Sequence, residues 1–406
     1  MGDLSPLPVT NTDPNFVSLA MATTAASQVN NSRMVKGIMA KQANTSRSLN
    51  ASGSMRTLVH IPAIPAVTTR QIADVLAFPD NTNPSFYIFN YVGGGYAIIS
   101  ADKRVQPILA FSNTQNFKYS NTISWGLSNW LTVNDKNMKL LKNSPALKAP
   151  KSVTALWAEV ASQAAPGTVF REMPPPPCVS YDSTIAMVGP LLQTHWGQGY
   201  PYNGVTGYLT GCEATAMAQV MYYWQTPTSG YDWADMPLIN TNAPSAAGNA
   251  SVSQLMSDIG HSVSMIYGFS ESTAATSAMP GGFSGFGYGS VANDYLPNNN
   301  NVISDYSTYS FIFSNLDLGW PVILSGETDS GGDNGHAWVC DGYSESESYD
   351  CDTQTGEVYL FYDMNWGEDG VSDGWYGYNY WYVFIGVTPY NFWYNLVITN
   401  GIYPSS

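Results

Sequence analysis

Beyond Arg171 the chain has no lysine and no arginine, although 235 residues follow. All fifteen basic side chains lie between Arg33 and Arg171, with only seven acidic ones before position 172, and 23 Asp and Glu lie after it. The first part is therefore formally +8 and the second −23, giving the −15 of the whole chain. A part without cations cannot neutralise phosphates, which excludes nucleic-acid binding there. Opposite signs on two parts of one chain favour their docking.

Other scarcities narrow the class further. Charged residues make up only 11% against 44% hydrophobic and 13% aromatic, the balance of a chain that buries a large core. No run reaches the roughly 18 to 20 apolar residues of a membrane-spanning helix. Met1 to Thr10 lacks the basic-then-apolar pattern of an export signal, so no signal peptide is expected in this chain. Four cysteines, Cys178, Cys212, Cys340 and Cys351, form no CxxC pair and no zinc-like spacing with histidine. No metal and no cofactor are expected, and a bridge among Cys178, Cys340 and Cys351 is left open.

A length of 406 residues exceeds one core, so two domains are expected. Ser144-Pro145-Ala146, Ala164-Ala165-Pro166-Gly167 and the prolines 174 to 177 read as an exposed linker around one helix, Ser152 to Ser162. The boundary falls there, giving domains 1–171 and 172–406. In the first, FYIFNYVGGGYAIIS (residues 86–100) is a hairpin signal, two β-rich runs around three glycines. Gln71 to Ala77 and Leu127 to Leu141 carry helical apolar spacing. In the second, CEATAMAQVMYYW (residues 212–224) predicts a helix, and Ser251 to Val263 a further one. Strands are expected at Pro321 to Ser325, His336 to Tyr343, Glu357 to Met364 and Asn395 to Tyr403. Met279 to Ser290 is glycine-rich without the lysine of a phosphate loop and reads as a surface loop. The fold class is α+β in both parts.

A helix N-terminus lowers a thiol's pKa, and Cys212 opens its predicted helix, with Gly211 before it leaving room for a substrate backbone. Among four histidines, His60 lies in the first domain, His261 on a helical stretch and His195 beside Trp196. His336 starts a strand after the run 330–335 and is the best general base. Asn365, at the end of the next strand, supplies an acceptor to fix its tautomer, and Trp366 shields that bond from water.

Gly211 to Trp224, GHAWVCDG (335–342) and NWGEDGVSDGWY (365–376) closely resemble the streptopain family of papain-like proteases. Val188 to Leu192, Trp196-Gly197-Gln198 and Pro201-Tyr202-Asn203 resemble that family's approach to its active site, and residues 86–117 its propeptide. The resemblance implies a papain-like domain whose helix carries the cysteine and whose antiparallel sheet carries His336 and Asn365, preceded by an α+β inhibitory prodomain. It also implies Gln198 as oxyanion donor, Gly211, Gly335 and Trp366 as site wall, and a thiolate–imidazolium pair of Cys212 and His336. A secreted, monomeric zymogen follows, acting on protein and peptide substrates, inhibited by its own prodomain and matured near Arg171, after Val169-Phe170. The family's usual second Trp is replaced by Glu368. Ser344 to Gly356 reads as an insertion that lengthens a hairpin. Rival readings are a papain-fold binding or adhesin protein without activity, or another Cys-His acyl-transfer enzyme such as an amidase or transglutaminase.

Overall fold

The computed structural model describes residues 13–32, 34–35, 47–49, 55–57, 69–119, 125–144, 147–149, 151–163, 181–239, 246–295, 306–327, 335–350, 355–377 and 394–405. The domain boundary at 171/172, Arg171, His60, Cys178 and Cys351 lie outside these. The first part holds α1 (Leu19–Ser27), a small antiparallel pair β1 (Arg47–Leu49) and β2 (Met55–Thr57), then four strands: β3 (Ile72–Phe78), β4 (Phe86–Tyr91), β5 (Tyr96–Ser100) and β6 (Ile108–Ser112). Helices α2 (Trp125–Lys142) and α3 (Lys151–Gln163) follow.

The expected hairpin is β4–β5, turned by Gly93, Gly94 and Gly95, all at positive φ. Residues 71–77 are a strand and not a helix. Their apolar spacing arises because β3 is an edge strand with a bulge between Ile72 and Asp74, which shifts the alternation by one residue.

The second part begins with β7 (Tyr181–Val188) and continues through α4 (Cys212–Trp224), α5 (Ala246–Ser262), α6 (Met279–Gly285), β8 (Tyr288–Gly289), β9 (Ala292–Tyr295) and α7 (Tyr306–Asp317). The chain then forms β10 (Val322–Glu327), β11 (Gly335–Asp350), β12 (Thr355–Asn365), β13 (Gly374–Gly377), β14 (Tyr394–Asn400) and β15 (Tyr403–Pro404). Helix α6 corrects the expected surface loop: Pro280 sits in its first turn, and Met279, Gly282 and Phe283 are buried. A Cβ on Gly282 would come within 3.1 Å of Met217 Cε, so the glycine lets α6 approach α4 closely. Residues 344–350 and 355–356 extend the β11–β12 pairing, and β7 adds along the upper half of β11.

The two parts share one antiparallel sheet, ordered β3-β4-β5-β6-β13-β12-β11-β10-β14-β9. The junction is β6 against β13, pairing Phe111 with Trp375 and Ala110 with Tyr376. Cores run through it. Trp130 of α2 packs edge-on to Tyr376 at 5.0 Å, and Phe111 edge-on to Phe361 at 5.8 Å. Gly374 is needed there, since a Cβ would lie 2.6 Å from Phe111 O. The ion pairs Arg104–Asp102 and Lys139–Asp135 lie within the first part. The described contact between the parts is strand-paired, with apolar packing and the Tyr96 hydroxyl bonds to Ser372 O and Tyr376 Oη across it.

Candidate active site

Cys212 is the first residue of α4, and no side chain caps that helix. Its first-turn N–H groups keep their partial positive charge for whatever lies at the helix start. Gly211 has φ 86°, and a Cβ there would lie 2.5 Å from Met265 Cε. The glycine is therefore required by backbone geometry and by the neighbouring 264–275 loop, beyond the substrate clearance the sequence suggested.

The Cys212 thiol donates to Glu213 Oε2 at 3.3 Å, and the Ala337 main chain, next to His336, acts in the direction of lowering its pKa. Burial first, then the Glu213 charge, push this thiol well above its ordinary pKa. His336 is buried at the start of β11, its ring parallel to Trp338 at 6.0 Å, while Gly335 before it is exposed. His336 Nε2 donates to the Trp366 carbonyl at 2.9 Å. That bond places the proton on Nε2 and leaves the Nδ1 lone pair to accept. Burial lowers the imidazole pKa to about 4, against the Trp366 hydrogen bond. Burial thus disfavours the charged form of both groups. Desolvation therefore opposes the expected thiolate–imidazolium pair.

Asn365 lies at the end of β12 but does not touch the imidazole. Its Nδ2 donates to Thr194 O at 2.8 Å and Gln219 Oε1 at 3.1 Å, and its Oδ1 accepts from Gln219 Nε2 at 3.0 Å and Gly367 N at 3.2 Å. Both donors and the acceptor are used, so orientation of His336 passes to the Trp366 carbonyl, a correction to the expected role. Gln219 Oε1 also accepts from Trp196 N at 3.1 Å, so the amide pair ties α4 to the 194–196 segment.

Gln198 is brought near the nucleophile by its carbonyl, which accepts from Thr210 N at 3.1 Å, two residues before Cys212. Its Nε2 donates to Glu368 Oε1 at 3.4 Å. Burial, then the Asp369 charge, raise the Glu368 pKa to about 7, offset in part by Gln198. Trp366 is fully buried, packed at 5.4 Å on Trp338, with Nε1 donating to Ser372 O at 3.1 Å. Its main chain also supplies the carbonyl that His336 Nε2 meets.

The Trp366 carbonyl is invisible in the sequence, since a backbone atom leaves no trace in residue type. Gln219 was detectable, seven residues after Cys212 and thus on the same helix face. His261 is satisfied within α5, its Nδ1 2.7 Å from Ser257 O. Cys340 is buried and unbridged. Among the described residues no cluster of His, Cys, Asp or Glu is arranged to hold a metal, and no helix is long and apolar enough to cross a membrane.

Two family profiles match this chain. That of the Peptidase C10 family covers residues 196–231 and 228–376, and that of the Spi protease inhibitor covers residues 16–138. Streptopain from Streptococcus pyogenes is 26% identical over 341 residues, 72% of this chain and 73% of that protein. The thiol protease/hemagglutinin PrtT of Porphyromonas gingivalis is 24% identical over 330 residues, 71% of this chain and 33% of that protein. The structure of a Prevotella intermedia prointerpain A fragment superposes with a TM-score of 0.55 at 24% identity, covering 82% of this chain and 99% of that one.

Proposed function

The chain belongs to the streptopain family of cysteine peptidases, Peptidase C10, and from that premise we propose that it is the precursor of a secreted endopeptidase with Cys212 as nucleophile and His336 as base. The observations that carry the assignment are Cys212 at the uncapped start of α4, with the Ala337 main chain next to His336 favouring its thiolate, and the His336 Nε2 bond to the Trp366 carbonyl. The Nε2–H tautomer, held by Trp366, leaves Nδ1 to take the thiol proton.

The reaction is acyl transfer. The thiol proton passes to His336, and sulfur attacks the peptide carbonyl carbon. The oxyanion is held by Gln198 Nε2, turned from Glu368, and by the Cys212 backbone N–H. The imidazolium then protonates the leaving amine. Water, deprotonated by the imidazole, releases the acid and restores the thiol.

In the precursor, residues 1–171 act as an inhibitory prodomain docked along β13. Maturation is proposed near Arg171, and its product, residues 172–406, is a monomeric domain without lysine or arginine. Release outside the cell fits an enzyme made in a self-restrained form.

The test compares wild type and Cys212→Ala under reducing conditions, following chain mass and casein hydrolysis together. Loss of about 170 N-terminal residues with a gain of activity in wild type alone supports the proposal. Two inert proteins, even after trypsin has cut the linker, would end it.

A further inference from the structure

His195 and Asp373 have no part in the chemistry above, yet they are joined to it by consecutive short hydrogen bonds. His195 Nδ1 lies 2.7 Å from Asp373 Oδ2. The other oxygen, Oδ1, accepts from the Trp366 N–H at 2.8 Å. Trp366 then holds His336 Nε2 through its carbonyl at 2.9 Å. The main chain of one residue is thus fixed on its N–H side by a carboxylate and on its C=O side by the imidazole.

We propose that His195 and Asp373 are positioning residues that set the orientation and basicity of the His336 ring through the Trp366 main chain. The inference rests on His336 being the base. All four residues lie in the second part of the chain, so the linkage persists after the first part is removed.

The surroundings favour the His195 cation. Asp373 is 6% exposed and His195 29%. Burial opposes the His195 cation, but the Asp373 hydrogen bond and charge, with Asp341 beyond, outweigh it and raise the pKa. The other titratable groups facing the pair are Asp341 on β11, Asp363 on β12, Glu368 and Asp369 in the connecting loop, and Tyr96 and Tyr376 from the junction. Burial lifts Asp341 to about 7 and Asp363 well above its ordinary value, so the nearer carboxyls are held back from full ionisation. The Asp373 carboxyl joins His195 through one oxygen and the Trp366 N–H through the other, and a carboxylate acceptor binds an N–H more strongly than a neutral one. A negative group one residue from the imidazole also stabilises its cation, the form that must arise when the thiol ionises.

The experiment uses the full-length chain, matured in place by trypsin, which has no site beyond Arg171. Asp373→Asn, His195→Gln, Cys212→Ala and wild type are compared by kcat, KM and the pH dependence of Cys212 alkylation by iodoacetamide. Asp373→Asn is expected to lower kcat by about 10- to 100-fold with KM within about twofold, and to displace the alkylation profile. His195→Gln, which retains a donor to Asp373, is expected to shift both in the same direction by less. A purely structural aspartate would change melting temperature without moving that profile. If Cys212→Ala is dead while both variants keep wild-type kcat and profile, the positioning role is overturned and the nucleophile assignment stands. If Cys212→Ala stays active, the underlying site reading fails instead. Should Asp373→Asn not fold, His195→Gln decides alone, an unmoved profile overturning the proposal.

Discussion

His336 Nε2 is held at 2.9 Å by the carbonyl of Trp366, while the neighbouring Asn365 spends its whole carboxamide on Gln219, Thr194 and Gly367. The separation of roles has a measurable consequence. Asn365→Ala leaves the buried Gln219 amide without its partner, a loss on the order of 1–3 kcal/mol in stability. The folded enzyme should nevertheless retain kcat within about tenfold, because the imidazole keeps its acceptor. Melting curves and single-turnover rates on the same preparation separate the two effects. A collapse of kcat with an unchanged melting temperature would reinstate Asn365 as the orienting group.

Glu213 governs the thiol. Its carboxylate accepts the Cys212 proton and adds negative charge beside a buried sulfur. Glu213→Gln removes the charge and keeps a polar group of the same shape, so the thiol pKa should fall. The thiolate fraction at pH 7 then rises, and iodoacetamide should modify Cys212 faster than in wild type. A slower reaction would mean that Glu213 assists the sulfur rather than restrains it.

The junction between the two parts predicts how tightly the first restrains the second. Tyr96 Oη lies 2.9 Å from Ser372 O and 2.8 Å from Tyr376 Oη, across the β6–β13 seam. Tyr376 keeps its own bond to Ser372 O at 2.7 Å, so Tyr96→Phe weakens docking without opening the catalytic loop. The expected cost is roughly 0.5–1.5 kcal/mol, or a few-fold shorter lag before casein hydrolysis begins. Gly374→Ala, whose Cβ would meet Phe111 O at 2.6 Å, should shorten the lag further. An unchanged lag in both variants would place the restraint elsewhere on the prodomain.

How far such relationships could be read in advance depended on whether their cause was local. The helix opening at Cys212 and the hairpin around Gly93 to Gly95 are encoded in short windows, by helix formers after a glycine and by β-rich runs around a turn. Gln198, Cys212, His336 and Asn365 each stand in a short motif, which needs no fold to be seen. Residues 71–77 misled because a bulge in an edge strand imitates helical spacing. Residues 279–285 misled because Gly282 serves close packing between helices, which composition alone cannot distinguish from a turn. The β6–β13 pairing joins positions some 265 residues apart, and neither strand indicates its partner. The Trp366 carbonyl and the two oxygens of Asp373 act through geometry that exists only once the chain has closed.

Glu368 stands where the family's second tryptophan is usual, and its titration provides a further test. Its folded pKa is raised to about 7 from an ordinary 4.5, first by burial and then by Asp369. A carboxyl shifted upward favours folding below its unfolded pKa, and that contribution is lost as pH rises through the folded value. Glu368→Gln should therefore melt with wild type near pH 4.5 and above it by a margin that opens toward pH 7 and then levels. The same ionisation bears on catalysis, since above about pH 7 the carboxylate grips Gln198 Nε2 by a charge-assisted bond and competes with the oxyanion for that donor. The variant should accordingly keep its kcat on the alkaline side better than wild type does. A melting difference independent of pH would show that Glu368 titrates normally, and the catalytic competition would fall with it.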